Sequence, residues 1–286
     1  MIYKVNIRKG REPLLGAAVG KKGVGKTHTT KQTIREYLMG NPQLGIKRRR
    51  VLILDVNDEF SDIKSIAVQD ILKFSNNAII EARRVRIYKP EGGKMTLNEI
   101  ANTLFFILEY YRNGLLLIED INKYVSDSLP NDLIGAICTQ RHQDVDIIMH
   151  FQSIGRITPK IWGNLNWLRF HKNSESVERH KNKYPDKVEI LKIAEAMVNN
   201  EFENGNARFY CYVNLDDEII EGAYSQKMLD SANVRYIEEN YAQVIKPMLN
   251  RVSILENKTK KLTQEEAIKI KRAKLFKEYY QGNKEQ

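Results

Sequence analysis

Between an apolar run at residues 14–19 and a helical pattern that begins at Lys26, the chain reads Gly20-Lys21-Lys22-Gly23-Val24-Gly25-Lys26-Thr27. This GxxxxGKT spacing constrains the fold more than any other feature, because the motif needs a strand before it and a helix after it. Its glycines let the backbone curl until successive N–H groups point inward, which makes a cradle for an anion. The helix that follows adds partial positive charge at its N-terminus. Lys26 is placed to reach the β- and γ-phosphates of a nucleoside triphosphate, and the Thr27 hydroxyl to ligate Mg2+. The expected nucleotide-binding residues are therefore Gly20, Lys21, Lys22, Gly23, Val24, Gly25, Lys26, Thr27 and His28, with ATP or GTP, and Mg2+, as the expected ligands.

The first half of the chain alternates short Val/Ile/Leu-rich runs with helical patterns, the rhythm of a parallel sheet with crossover helices. Strands are expected at residues 14–19, 50–55, 85–88, 115–119, 146–151 and 167–171. A helix from Lys26 to Met39 should stop at Gly40-Asn41-Pro42. Thr96-Leu97-Asn98-Glu99 reads as a capping box, and Leu97, Ile100, Ala101, Leu104, Phe105, Leu108 and Tyr111 carry a helical stripe on to Asn113-Gly114. Another helix is expected from near Pro130 to about His142.

Past residue 171 the texture changes. Residues 174–184 and 186–199 read as helices split by Pro185, residues 208–213 alternate like a sheet-edge strand, and 218–222 extend it. From Gln226 the remainder reads as helices, ending in a highly charged one over 263–280. The expected organisation is an ATPase domain over 1–225, with its core at about 14–171, and a basic helical C-terminal extension over 226–286. The fold class expected is α/β, a P-loop NTPase of the RecA/ASCE-like kind, with a mainly parallel sheet flanked by helices and a C-terminal helical appendage.

The 286 residues carry a formal net charge of +10, which favours polyanionic partners. From Lys246 to the end, eleven Lys/Arg face five Glu, and Lys47-Arg48-Arg49-Arg50 forms a second basic cluster. No stretch approaches the apolar length of a membrane helix, and no signal-peptide pattern opens the chain, so the expected address is the cytoplasm. Cys138 and Cys211 show neither metal-site nor disulfide spacing and read as core thiols.

Leu115-Leu116-Leu117-Ile118-Glu119-Asp120 ends a buried strand in two acids, the Walker B pattern, with the usual Asp-then-Glu order reversed. Glu119 is expected to hold the magnesium through water, and Asp120 to polarise the attacking water. Gln152, after Ile147-Ile148-Met149-His150-Phe151, is a candidate γ-phosphate sensor. Asp55 and Glu59 are further site-facing candidates.

Two strands stand between the glycine loop and the acidic strand in sequence, which suits P-loop proteins that insert another strand between those two in the sheet. Here the chain resembles the FtsK–HerA superfamily of DNA-pumping ATPases. The resemblance rests on Gly20 to Thr27, Val51-Leu52-Ile53-Leu54-Asp55-Val56-Asn57-Asp58-Glu59-Phe60, the Glu119-Asp120 strand, and Gln140-Arg141-His142-Gln143-Asp144-Val145-Asp146 leading to Phe151-Gln152-Ser153. It implies a ring, usually a hexamer, with sites between neighbours and an arginine reaching across; Arg141 matches that role, with Arg156 as a rival. The compact chain looks most like the packaging ATPases of tailless double-stranded DNA viruses. That implies double-stranded DNA bound without sequence preference, a capsid or portal protein as partner, and work in the host cytoplasm or on the virion. Two other readings stand beside this one. Lys21 occupies the place of the extra lysine in ParA/MinD-like ATPases, dimers that partition DNA or position complexes. The reversed acids also fit an assembly protein that uses ATP as a switch without translocating.

Overall fold

The computed structural model describes residues 13–89, 91–121, 135–137, 143–250, 252–255 and 258–280. Eight strands form one sheet: β1 (Leu15–Val19), β2 (Arg50–Asp55), β3 (Ala82–Arg86), β4 (Gly114–Ile118), β5 (Val145–Phe151), β6 (Trp167–His171), β7 (Tyr210–Asn214) and β8 (Ile219–Glu221). Their order across the sheet is β3-β2-β4-β5-β1-β6-β7-β8. All pairings from β3 through β6 are parallel, and β7 and β8 add an antiparallel margin. The glycine-loop strand β1 and the acidic strand β4 are thus separated by one strand. That strand is β5, which carries Gln152 at its end; β2 and β3, which intervene in sequence, lie outside β4.

Helices cover both faces, and strand periodicity decides what each one meets. On one face Ile34 of α1 (Lys26–Met39) joins Val51, Ile53, Leu115, Leu117, Ile148 and Trp167. On the other, α2 (Ile71–Asn76) and α3 (Leu97–Tyr110) pack on Leu52, Leu54, Val85, Leu116, Ile118, Ile147 and Met149. The Thr96–Glu99 capping box opens α3, as the sequence predicts. The predicted stripe is shifted by contacts with the sheet. Leu97 is 58% exposed, while Thr103 and Ile107 turn inward. Tyr111 lies just past the helix, where its hydroxyl donates to Arg50 O at 3.1 Å or Leu115 O at 3.2 Å.

Three local expectations are corrected. Residues 174–184 form turns and a 3-10 helix, Glu178–Lys183, which buries none of its residues, so no packing face supports an α-helix there. The segment after Gln226 is not helical throughout. Between α5 (Gln226–Glu239) and α6 (Gln264–Tyr279), strands β9 (Val252–Leu255) and β10 (Lys258–Lys261) pair antiparallel, in keeping with the β-branched Val252, Ile254 and Thr259. The basic cluster at Lys47-Arg48-Arg49-Arg50 is largely committed to the fold. Arg50 donates to the carbonyls of Phe74, Ser75 and Asn77 at the end of α2, Arg49 pairs with Asp144 at 3.0 Å, and Arg48 donates to Leu38 O at 2.8 Å.

Beyond the sheet, α4 (Val188–Glu203), α5 and α6 share the hydrophobic cluster of the α3 face through Leu191, Met197, Leu229, Tyr236, Ala267 and Leu275. Glu189 on α4 ties them together. It pairs with Lys271 and accepts hydrogen bonds from Tyr236 at 2.8 Å and Tyr279 at 2.9 Å. Burial pushes the Cys211 thiol up to about 12, as suits an inert core thiol; Cys138 lies outside the described residues.

One close approach holds β1 against β6. A Cβ added to Gly16 would stand 1.9 Å from the Trp167 ring. Gly16→Ala should therefore destabilise the protein by about 1–3 kcal/mol through overpacking, read as a lower urea midpoint with unchanged slope.

Candidate active site

The C-terminal edge of the parallel strands gathers most of the sequence-predicted site residues that are described. β1 ends at Val19, the chain turns through the glycine loop, and α1 begins at Lys26. Gly25, the residue before the helix, has φ +89°, a left-handed conformation that favours glycine. The loop is fastened on two sides: Gly20 N–H donates to Phe151 O on β5 at 3.3 Å, and Lys21 N–H to Lys172 O beyond β6 at 2.8 Å. Val24 is buried beneath it. The Lys26 ammonium folds over the loop, donating to Gly20 O and to Lys21 O at 2.9 Å. Burial lowers its pKa, and the nearby Asp120, Glu59 and Glu119 partly offset this.

Opposite Lys26 stand the acids. β2 and β4 are neighbours in register Leu54↔Ile118, so Asp55 and Glu119 emerge side by side. Glu119 is 2% exposed, and its carboxyl is raised to about 9 by burial first, then by the Glu59 charge and a hydrogen bond with Asp55. Asp55 receives Arg84 Nη1 at 2.6 Å and the N–H groups of Glu59 at 3.0 Å and Phe60 at 3.2 Å. Those bonds shape the turn after β2, where Asp58 (φ +58°) also meets Arg84. The turn delivers Glu59 to the site, and its carboxylate accepts the Thr27 hydroxyl proton. Asp120, at φ +39°, turns its side chain differently from Glu119. Its Oδ2 accepts Asn57 Nδ2 at 2.9 Å and Gln152 Nε2 at 3.2 Å, linking the tips of β2, β4 and β5.

Lys26, Thr27, Glu59, Glu119, Asp120 and Gln152 are thus brought into one constellation, with Asp55 behind it. Lys21 is elsewhere: its ammonium lies 4.1 Å from the centre of the Phe202 ring on α4. Lys22 and His28 are exposed at the rim. Arg156 is exposed on the turn Ile154–Arg156 just past Gln152, and Arg141 lies outside the described residues, as does most of the helix expected over 130–142. Sequence reasoning missed Asn57, Arg84 and Arg208. Asn57 follows β2 and Arg84 lies within β3, strands whose pairing had to be known first. Arg208 lies two positions before β7, yet its side chain covers Gly25, with Cγ 3.5 Å from where a Cβ would sit.

The residues fit a Mg-nucleotide. A Cβ added at Gly23 (φ +84°) would meet nothing within 4 Å, so the cradle is open. The donors near Thr27 are hard oxygens, those of Thr27, Glu59 and Glu119, the kind Mg2+ takes. Among the described residues no group of three or more His, Cys, Asp or Glu side chains is arranged to hold a metal on its own.

No family description matches the sequence, and no curated protein does. Among solved structures the chain is similar to B204, the DNA-packaging ATPase from Sulfolobus turreted icosahedral virus, at 14% identity and a TM-score of 0.48, over 73% of this chain and 97% of that one. It is also similar to the genome packaging NTPase B204 from Sulfolobus turreted icosahedral virus 2 bound to AMPPCP, at 13% identity and TM-score 0.46, over 72% and 95% of the two chains. A third similar structure is the N-terminal domain of zonular occludens toxin from Neisseria meningitidis, at 15% identity and TM-score 0.31, over 55% and 76%. The fold assignment rests on the strand order and the glycine loop. No helix among the described residues is long and apolar enough to cross a membrane.

Glu119 makes stability depend on pH. Its folded pKa lies above the unfolded one, so the folded state holds a proton that the unfolded chain releases. This contribution is complete below pH 4.5 and declines as pH rises toward about 9. Glu119→Gln, which copies the neutral form, should flatten that decline. Its thermal midpoint without nucleotide should exceed wild type most at the alkaline end and converge with it near pH 4.5. Equal slopes in the two proteins would show that Glu119 is not protonated in the folded state.

Proposed function

We propose that this chain is a Mg2+-dependent ATPase that works as a ring of its own copies to move double-stranded DNA, in the manner of a genome-packaging motor. The observation that carries the reading is the Asp120–Gln152 contact, because it sets a carboxylate and an amide from adjacent strand tips opposite Lys26 and Thr27. In this reading Lys26 leaves its loop carbonyls for the β- and γ-phosphates of ATP. Thr27 and Glu59, with Glu119 once ionised, would hold a Mg2+, which would supply charge neutralisation at the phosphate oxygens. Asp120 orients the attacking water and takes its proton as a P–O bond forms to the γ-phosphorus and the bridge to the β-phosphate breaks. Gln152 bonds Asp120 and borders the γ-phosphate, so loss of that phosphate is felt on β5.

DNA as the moving load is supported by the resemblance carried by the motifs and by the net charge of +10. Arg156, or Arg141, would complete the site of a neighbouring copy, as an arginine finger does. A capsid or portal protein is the partner, and the host cytoplasm the place of work. The ParA/MinD-like reading is weakened by Lys21, whose ammonium rests on its own chain's Phe202, and by β5 standing between β1 and β4.

Lys26→Ala should lower ATP hydrolysis by at least about 100-fold while leaving the thermal midpoint near wild type. Duplex DNA should raise the wild-type rate at low salt and lose this effect as salt rises. A rate indifferent to duplex across that range sinks the motor reading and leaves an ATP-switched assembly protein. If Arg156 acts on a neighbour, mixing Arg156→Ala with Lys26→Ala subunits should restore part of the activity that each lacks alone.

A further inference from the structure

Among the described residues, the largest side chain wholly removed from solvent is an arginine. Arg169 on β6 is 0% exposed and lies between Ala18 of β1 and Tyr212 of β7. The two-residue period of β6 turns it, with Trp167, toward the α1 face of the sheet. Its Nη2 donates to the Thr30 hydroxyl and, at 3.4 Å, to the backbone carbonyl of Lys26. Its Nε and Nη1 have no hydrogen-bond partner, and no carboxylate comes within ion-pair distance of it among the described residues. The neighbouring His150, whose Nε2 lies 2.8 Å from the Thr30 hydroxyl, is held neutral by burial and then by the Arg169 charge.

A guanidinium does not shed its proton, so burial cannot neutralise it as it would a lysine. A buried charge without a partner is among the costliest things a fold can keep, and it is retained where something compensates it. Directly across the Lys26 backbone lies the glycine cradle, whose ligand brings several negative charges to the first turn of α1. The medium between is protein interior, where charges act over longer distances than in water.

We propose that Arg169 is a positioning residue that presents a buried positive charge beneath the first turn of α1, favouring ligands in the order of their phosphate charge, triphosphate over diphosphate over monophosphate. The proposal rests on the phosphate-site reading of the loop. Arg169 touches neither ligand nor reacting atoms; it acts through the Lys26 carbonyl and through its field.

The test compares wild type with Arg169→Met by titration calorimetry against ATP, ADP, AMP and inorganic tripolyphosphate. The Met variant should lose about tenfold in affinity for ATP and tripolyphosphate, less for ADP, and under about twofold for AMP, the scale of one charge acting through an interior of effective dielectric about 20. Its thermal midpoint without ligand should equal or exceed wild type, since an apolar side chain replaces an unpaired ion. A merely structural arginine predicts equal losses down the series or none, and either result overturns the proposal while ATP binding by wild type keeps the phosphate site intact. Failure of wild type to bind ATP and tripolyphosphate would remove both readings. Should the Met variant not fold, Arg169→Gln decides: it keeps a donor for Thr30 but removes the charge, so it should lose the wild-type ratio of ATP to AMP affinity. Persistence of the wild-type ratio in a folded Gln variant rejects a charge-based role.

Discussion

Two carboxylates at neighbouring strand tips cannot both keep full charge out of water, and the edge of this sheet is arranged around that conflict. The register Leu54↔Ile118 forces Asp55 and Glu119 together. Arg84 comes from β3 to pair with Asp55, while burial and the neighbouring acids raise the Glu119 carboxyl. The two acids after β4 therefore meet different surroundings. The first lies buried in the packed edge. The second, Asp120, takes a positive φ and meets two side-chain amides on the open side. In the proposed mechanism, a reversed Glu-Asp pair therefore puts the shorter side chain where the water would be, and Asn57 and Gln152 supply the reach it lacks.

The glycine loop depends on that same edge for its footing. Its backbone is bonded to β5 through Phe151 and to the segment after β6 through Lys172, while Glu59, set by the Asp55 turn, holds Thr27. Loop, acids and the tip of β5 are thus linked by a continuous set of hydrogen bonds across β2, β4, β5, β1 and β6. A change at one tip has a direct route to the others. Lys21 belongs to this scaffold: placed over Phe202, it joins the loop to α4.

Much of this was readable in the sequence, and the parts that were not share a physical cause. The glycine loop is contiguous, and its spacing sits in eight adjacent residues, so the strand before it and the helix after it could be read directly. The buried strands could be found because both faces are covered, which leaves unbroken Val/Ile/Leu runs. Glu59 was visible only as one acid among several, because its place at Thr27 depends on Arg84, twenty-five residues further along. Which strand separates β1 from β4 was not legible either, since strand order is set by crossovers and not by sequence order. The basic run at residues 47–50 misleads for a related reason. Its arginines sit where β2 begins, at the end of the sheet away from the loop, and there they saturate the carbonyls of α2 and the acid Asp144.

The two faces of the sheet are not equivalent, and the difference bears on how a nucleotide would be felt. α3 sits on an apolar surface and is held by dispersion and burial, forces indifferent to charge. The first turns of α1 instead rest, through their own Thr30, on His150 and Arg169, with the apolar contacts of Ile34 beginning only further down the helix. A helix start supported by polar groups is sensitive to the electrostatic state of what lies in front of it. One supported by leucines is not. In the proposed reading, the end of α1 that carries Lys26 and Thr27 is the part of the core whose stability a bound phosphate would change, while the α3 side would provide the fixed frame against which that change is registered.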